Sequence, residues 1–273
     1  MKVLILSDLH LGTRISRSTE LLADIRRLAK KYDRVILNGD TLDRLETPEC
    51  EPDSQRYIRE AEDACQSRTG LPEILTGNHD PVISNTEYLY LPQSATLVFH
   101  GDCVADCTHP CKPSEQLLAA HLKTVWAKQG GRPTRFLDLI HLHRRAQGEH
   151  LRHNPIARDD AGLLNYLVNA TIPPQKILHV LQYWYRTPNR IAALAATFDK
   201  PVKHVVIGHT HRPGHWNVGG IEVFNTGSYM PMSKPFAVSI DGHHISFSPV
   251  LRMLESHRTV VQALPKAAAT EEA

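Results

Sequence analysis

The chain has 273 residues, 41% of them hydrophobic, enough to bury a core in one large domain or in a domain with a sizeable insertion. Its net charge of +2 conceals an uneven distribution: residues 103–200 carry 13 Lys and Arg against 7 Asp and Glu, which leaves the remainder near −4. No run approaches the roughly 18 apolar residues of a membrane span, the N-terminal run is too short for a secretion signal, and five cysteines, an odd number, argue against a disulfide framework. The expectation is a cytoplasmic chain with reduced thiols.

Val3 to Leu6 is a continuous apolar run of the kind a fully buried strand shows, and it delivers Ser7-Asp8-Leu9-His10 at its C-terminal end. Residues 19–31 follow with helical spacing: Leu21, Leu22, Ile25, Leu28 and Ala29 form one stripe, and Ser18 is placed to cap it. Arg34 to Leu37 reads as a second buried strand leading into Asn38-Gly39-Asp40, which completes a β-α-β unit with polar residues at its strand ends. Residues 53–67 read as a helix, and Glu73 to Leu75 as a third strand that runs into Gly77-Asn78-His79-Asp80. Asp80-Pro81 has the form of an N-cap followed by proline at the first helical position. Ala95 to Phe99 is a fourth strand, ending at His100-Gly101-Asp102.

From 103 to 200 the spacing turns helical, with Leu117, Leu118, His121, Leu122 and Val125 on one face and further runs at Leu137, Leu139, Ile140 and at Ile177, Leu178, Val180, Leu181. We read this segment as a helical insertion, a cap that interrupts a core of residues 1–102 and 201–254. Strands resume at Val202 to Ile207, which delivers Gly208-His209-Thr210-His211, and at Ile221 to Phe224 beyond a Gly219-Gly220 turn. A hairpin pairs Phe236 to Ile240 with Ile245 to Phe247 around Asp241-Gly242. The Ala-rich tail, 265–273, is expected to be disordered. The fold class is α/β, a sandwich interrupted once.

Five polar clusters at strand ends imply one site. Asp8, His10, Asp40, Asn78, His100, His209 and His211 offer oxygen and imidazole donors and no thiolate, the mixture suited to Mn²⁺, Fe²⁺ or Zn²⁺. Seven donors exceed what one tetrahedral ion uses, so two divalent metal ions about 4 Å apart are expected, with one carboxylate between them. Such a pair suits phosphoryl chemistry.

In their order along the chain these residues resemble the calcineurin-like metallophosphoesterases, whose pattern D-x-H, G-D, G-N-H-[DE], H and G-H-x-H is met over 1–102 and 201–230. The resemblance implies a four-layer α/β/β/α sandwich of two mixed sheets. It places Asp8, His10 and His211 on the first ion, Asn78, His100 and His209 on the second, Asp40 as the bridge, and His79 as the catalytic acid. It also implies hydrolysis of a phosphoester bond by water activated between the ions. Gly39-Asp40-Thr41-Leu42-Asp43-Arg44 is similar to the G-D-x-V-D-R stretch of the phosphoprotein phosphatase branch, which would make Asp43 the group that orients His79 and Arg44 the group that grips phosphate. That branch continues with glycine where Leu45 stands here. The UDP-2,3-diacylglucosamine pyrophosphatase branch is similar in its His-Gly-Asp motif and helical insertion, and typically has arginine where His79 stands.

Other features carry plainer readings. Cys103, Cys107 and Cys111 stand four residues apart near His109, but Pro110 and the lack of a C-x₂-C spacing favour buried thiols over a zinc site. Asn225-Thr226-Gly227-Ser228 fits a family turn or an ordinary β-turn equally well. Tyr183-Trp184-Tyr185 reads as core, and Arg144-Arg145 and Arg186 to Arg190 as solvated faces. The basic insertion favours an anionic, phosphorylated small-molecule substrate, whether a phosphomonoester, a nucleotide phosphodiester or a nucleotide-containing diphosphate, while dispersed basic residues argue against nucleic acid. An acyl-bearing substrate would need an apolar groove between cap helices, which leaves peripheral membrane contact open. Oligomeric state is written in no pattern of the chain. The opposing reading is a non-catalytic scaffold on the same fold, against which the intact ligand set speaks.

Overall fold

The buried apolar runs become the central strands of two sheets in the computed structural model, which describes residues 1–43, 52–104, 113–153 and 175–255. In chain order the strands are β1 (Lys2–Leu6), β2 (Arg34–Asn38), β3 (Glu73–Leu75), β4 (Tyr88–Leu91), β5 (Thr96–Phe99), β6 (His204–Ile207), β7 (Gly214–Val218), β8 (Ile221–Asn225), β9 (Phe236–Asp241) and β10 (His244–Pro249). The first sheet has the order β10-β9-β1-β2-β3 and the second β4-β5-β6-β8-β7. Inside each sheet the site-bearing strands run parallel: β1 with β2 and β2 with β3, then β5 with β6 and β6 with β8. Their carboxyl ends therefore lie along one edge of the sandwich.

Val3, Ile5, Ile36, Leu75, Val98, Val206, Phe224 and Val238 fill the space between the sheets. Helices α1 (Ser18–Ala29) and α2 (Pro52–Ala64) cover the outer face of the first sheet, burying Ile25, Leu28, Ala61 and Ala64 against Leu4, Leu6 and Leu37. The outer face of the second sheet is covered by α4 (Phe136–His153) and α5 (Gln175–Ala195), with α3 (Pro113–Lys128) packed on α4. Phe136, Leu139, Ile140, Ile191 and Ala195 share one apolar cluster with Leu97, Phe99, Val205, Ile207 and Val223. These helices are thus the fourth layer of the sandwich itself.

Several expectations need correction. Ser18 is the first residue of α1, not its cap; Ser16 Oγ accepts from the Ser18 amide at 3.2 Å and donates to the Leu9 carbonyl at 2.6 Å, tying the helix start to the loop after β1. Asp80-Pro81 begins a turn, not a helix. The edge strands β4 and β7 escaped the sequence reading, because half-buried edges lack the continuous apolar run of a central strand. In α5 the apolar residues Leu178 and Leu181 are exposed, at 66% and 50%, so their spacing marks no core face. Among the described residues no helix is long and apolar enough to cross a membrane, and Cys65 and Cys103 carry free buried thiols. The expected tail and the residues Arg44, Cys107, His109 and Cys111 lie outside the described residues.

Candidate metal centre

Each parallel strand hands its last residues to the same edge. In-register pairing of Leu6 with Leu37 sets Ser7-Asp8 beside Gly39-Asp40, and the Asp8 and His10 amides donate to the Gly39 and Asp40 carbonyls at 3.1 and 3.0 Å. β3 delivers Asn78 and His79, β5 delivers His100, and β6 delivers His209 and His211. Five of these residues turn sharply inward on left-handed backbone: Asp8 at φ 53°, His10 at 49°, Asp40 at 49°, His209 at 67° and His211 at 55°. Left-handed backbone costs an L-residue about 1 kcal/mol or more, and such strain gathers at functional sites.

Asp8, His10, Asp40 and His211 each place a donor atom within 4.8 Å of the others. His10 Nε2 faces His211 Nε2 at 3.0 Å, and His211 Nε2 lies 3.3 Å from Asp8 Oδ1. The other His10 nitrogen, Nδ1, is 3.2 Å from Asp43 Oδ1, so the Nδ1 proton goes to that carboxylate and the Nε2 lone pair points into the cluster. Burial lowers the His10 pKa, only partly opposed by Asp43, which keeps the ring neutral.

A second group adjoins the first through Asp40. Asp40 Oδ2 lies 3.3 Å from His100 Nε2, which lies 3.1 Å from Asn78 Oδ1, which in turn lies 2.7 Å from His209 Nδ1. His100 Nδ1 donates to the Asn38 carbonyl at 2.9 Å, leaving Nε2 for the site. Burial pulls the His100 pKa down, but the carboxylates of Asp40, Asp8 and Asp102 together, Asp40 foremost, lift it to about 10. Burial and the charge of His100 push His209 down to about 4.

Asp8 and Asp40 are wholly buried, and their ion-pair partners among the described residues are all histidines. Burial alone would raise both carboxyls, yet the histidines outweigh it and hold Asp40 well below the ordinary range. Two buried carboxylates ringed by imidazoles, with no guanidinium or ammonium paired to them among the described residues, form a donor set that fits divalent cations.

The family description "calcineurin-like phosphoesterase" matches residues 1–213. The chain belongs to the calcineurin-like phosphoesterases. No curated protein matches it. Similar solved structures include a predicted phosphoesterase from Streptococcus pneumoniae, at 17% identity over 91% of this chain and 89% of that one with a TM-score of 0.34. Others are the phosphoesterase Yfce from E. coli, at 13% identity over 90% and 91% with a TM-score of 0.40, and a Zn²⁺ complex of Vps29 from Entamoeba histolytica, at 13% over 92% and 99% with a TM-score of 0.36. These likenesses are too remote to carry activity from one chain to another.

Within this calcineurin-like phosphoesterase the supporting residues are as definite as the candidate donors. Asp80 sits behind two of the donor-bearing loops, its carboxylate accepting from the amides of Gly77, Asp40, Thr41 and Leu42 at 2.8 to 3.1 Å. The 225–228 turn is a brace: Asn225 Nδ2 donates to the Gly208 carbonyl at 2.7 Å, Thr226 Oγ1 meets Ser7 Oγ, and Ser228 Oγ donates to the Asp8 carbonyl at 3.3 Å. A Cβ on Gly208 would collide with the Asp8 carboxylate, so the close approach of these loops requires glycine there.

Asp43 stands where sequence placed it but divides its work differently. Its carboxylate lies nearer His10 than His79, where Oδ1 is 3.8 Å from Nδ1, and it is the Asp43 main-chain carbonyl that takes His79 Nδ1–H. Tyr183 and Trp184 also depart from a core role. Tyr183 meets the His209 ring edge-on at 6.0 Å, Trp184 Nε1 donates to the Thr210 carbonyl at 3.0 Å, and Tyr185 is exposed. Arg145 is solvated as expected, whereas Arg144 is buried.

Proposed function

We propose that this chain is a metal-dependent phosphoesterase that holds two divalent ions and hydrolyses an anionic, phosphorylated small molecule. Asp8, His10 and His211 would hold one ion, Asn78, His100 and His209 the other, and Asp40 would reach both. The observation that carries this reading is the pair of donor groups that meet at Asp40, built around buried carboxylates whose ion-pair partners among the described residues are histidines. Bound there, such ions neutralise phosphoryl charge and lower the pKa of the attacking water.

His79 is the group placed to move a proton. Its Nδ1–H is held by the Asp43 carbonyl, which leaves Nε2 as the atom that gives a proton to the leaving oxygen. Burial opposes a charge on this ring, but Asp40 and Asp43 outweigh it and raise its pKa above the ordinary histidine value, so the proton is present near neutral pH. The Asp40 side chain also accepts from the His79 amide at 2.9 Å, fixing the acid against the bridge. Arg44, the next residue after Asp43, is assigned to grip phosphate on the family resemblance.

Residues 103–200 are proposed to choose the substrate, since their helices stand beside His209 and Thr210 and the segment carries the positive excess that attracts a second phosphate or a nucleotide. Mn²⁺, Fe²⁺ and Zn²⁺ all suit the donors, and a cytoplasmic enzyme would meet each of them. The test is hydrolysis, by the Mn²⁺-loaded full chain, of chromogenic phosphomonoester and phosphodiester, cyclic nucleotides, nucleotide diphosphates and UDP-2,3-diacylglucosamine. Turnover that chelation abolishes and Mn²⁺ restores is expected on at least one. No turnover on any, with no metal bound, would replace the enzyme by the scaffold reading.

A further inference from the structure

A buried polar cluster lies on the helical side of the second donor group. Asp102, His143, Arg144 and Gln147 are all under 9% exposed. Arg144 Nη1 donates to the Gly77 carbonyl at 2.5 Å and to Gln147 Oε1 at 2.7 Å, while Nη2 donates to Asp102 Oδ1 at 3.0 Å and to the Thr76 carbonyl at 3.3 Å. Gln147 Nε2 completes the ring by donating to Asp102 Oδ2 at 2.8 Å, and His143 Nε2 lies 3.3 Å from the same oxygen. A guanidinium removed from water needs a counter-charge and acceptors: Asp102 supplies the charge and each terminal nitrogen has two acceptors, while Nε has no partner among the described residues.

The placement is more telling than the burial. Thr76 and Gly77 immediately precede Asn78, and Asp102 follows His100 by two residues. On its other side the Gly77 peptide has no spare room, because a Cβ there would strike the Asp40 amide and carboxylate. The Gly77 peptide is therefore clamped between Asp40 and Arg144, and rotation of that peptide is what would swing the Asn78 side chain away from His100 and His209.

We infer that Arg144 is a positioning residue for the second donor group: from α4 it fixes the Thr76-Gly77 carbonyls, and thereby Asn78, while its pairing with Asp102 keeps the cation from opposing a bound ion. The inference rests on the two-ion reading above. Groups that orient the side chains holding a metal commonly change its affinity by about 10- to 100-fold when removed.

The experiment uses the full chain, stripped of metal and titrated with Mn²⁺ while free Mn²⁺ is followed by electron paramagnetic resonance. Wild type is expected to take up two ions. Arg144→Met should weaken one dissociation constant about tenfold or more and leave the other within about threefold. Arg144→Lys keeps a charge beside Asp102 but not the two-armed fork, so it should lose affinity in the same direction by less, with a melting temperature near wild type. Asp43→Asn, which acts on His10, should weaken the other constant, and the two losses should add in the double variant. Wild-type constants for both ions in Arg144→Lys, whether or not Arg144→Met folds, would overturn the inference and leave Arg144 a structural residue. A wild type that takes up fewer than two Mn²⁺ would instead overturn the two-ion reading.

Discussion

The two donor groups meet at Asp40 but are braced from different parts of the molecule. The group of Asp8, His10 and His211 leans on Asp43, Ser7, Thr226, Ser228 and Ser233, all in strand-end loops of the sandwich. The group of Asn78, His100 and His209 leans on Arg144, Asp102 and Tyr183, supplied by α4, α5 and the turn after β5. A change in the helical layer therefore reaches one half of the site first. That gives residues 103–200 a route to the chemistry besides any contact with substrate.

The harshest way to break this comparison is to remove one side of it. Replacing residues 115–195 by a short Gly/Ser linker would strip Phe136, Leu139, Ile140 and Ile191 from the cluster that covers the second sheet, and large-to-small losses at such positions cost about 2–5 kcal/mol each. That sum exceeds the stability of an ordinary domain, so no cooperative melting transition is expected by calorimetry. A folded, metal-binding truncation would show that the helices are a separable cap after all.

Asp40→Ala strikes both halves at once, because each has a donor within 4 Å of that carboxylate. Elemental analysis should find the metals gone or nearly so, with activity lost alongside; two equivalents retained would remove Asp40 from its central place. His79→Asn leaves both halves standing. Metal content should match wild type while turnover falls about 10²–10⁴-fold, most steeply for poor leaving groups. Loss of metal in that variant would make His79 a ligand.

Two gentler tests separate the halves. Asp43→Asn should weaken the ion held by His10 by about tenfold in Mn²⁺ titration and, by taking a negative charge from beside His79, move the acid group's pKa down in the rate profile. The smallest effect is in pH. His100, lifted to about 10 in the metal-free site, must give up a proton before Nε2 can bind an ion, whereas His10 is already neutral. Affinity at the His100 side should thus rise with pH, by up to about tenfold per unit between pH 6 and 8, while the His10 side changes less. Equal slopes at both sides would mean that the proton on His100 is not what the ion displaces.

What the sequence reveals and what it hides divide along the same line. The convergence of the candidate donors was legible because each follows a short apolar run, and strand ends of that kind meet wherever parallel strands share a sheet. Arg144 was not, since its acceptors are the carbonyls of residues 76 and 77 and nothing in the helix pattern separates it from solvated Arg145. Asp80 was misread because Asp-Pro has the form of a helix start, while the amides that use its carboxylate come partly from residues 40–42. The helical segment was recognised as helical, but only its packing shows that Phe136 and Ile191 complete the core under the second sheet.

The left-handed backbone at Asp8, His10, Asp40, His209 and His211 sets this protein's durability against its chemistry. Selection for thermal resistance in the absence of metal should favour losing these residues, as active sites give up stability for geometry. His211 is the clearest case, because its side chain is a quarter exposed and, among the described residues, its Nε2 meets other members of the site. In chelator, His211→Gly is expected to melt no lower than wild type by calorimetry, and with Mn²⁺ present the order should reverse, since ion binding stabilises only the chain that keeps its ligands. A metal-free His211→Gly that melts well below wild type would show that the imidazole is worth more to the fold than its backbone costs.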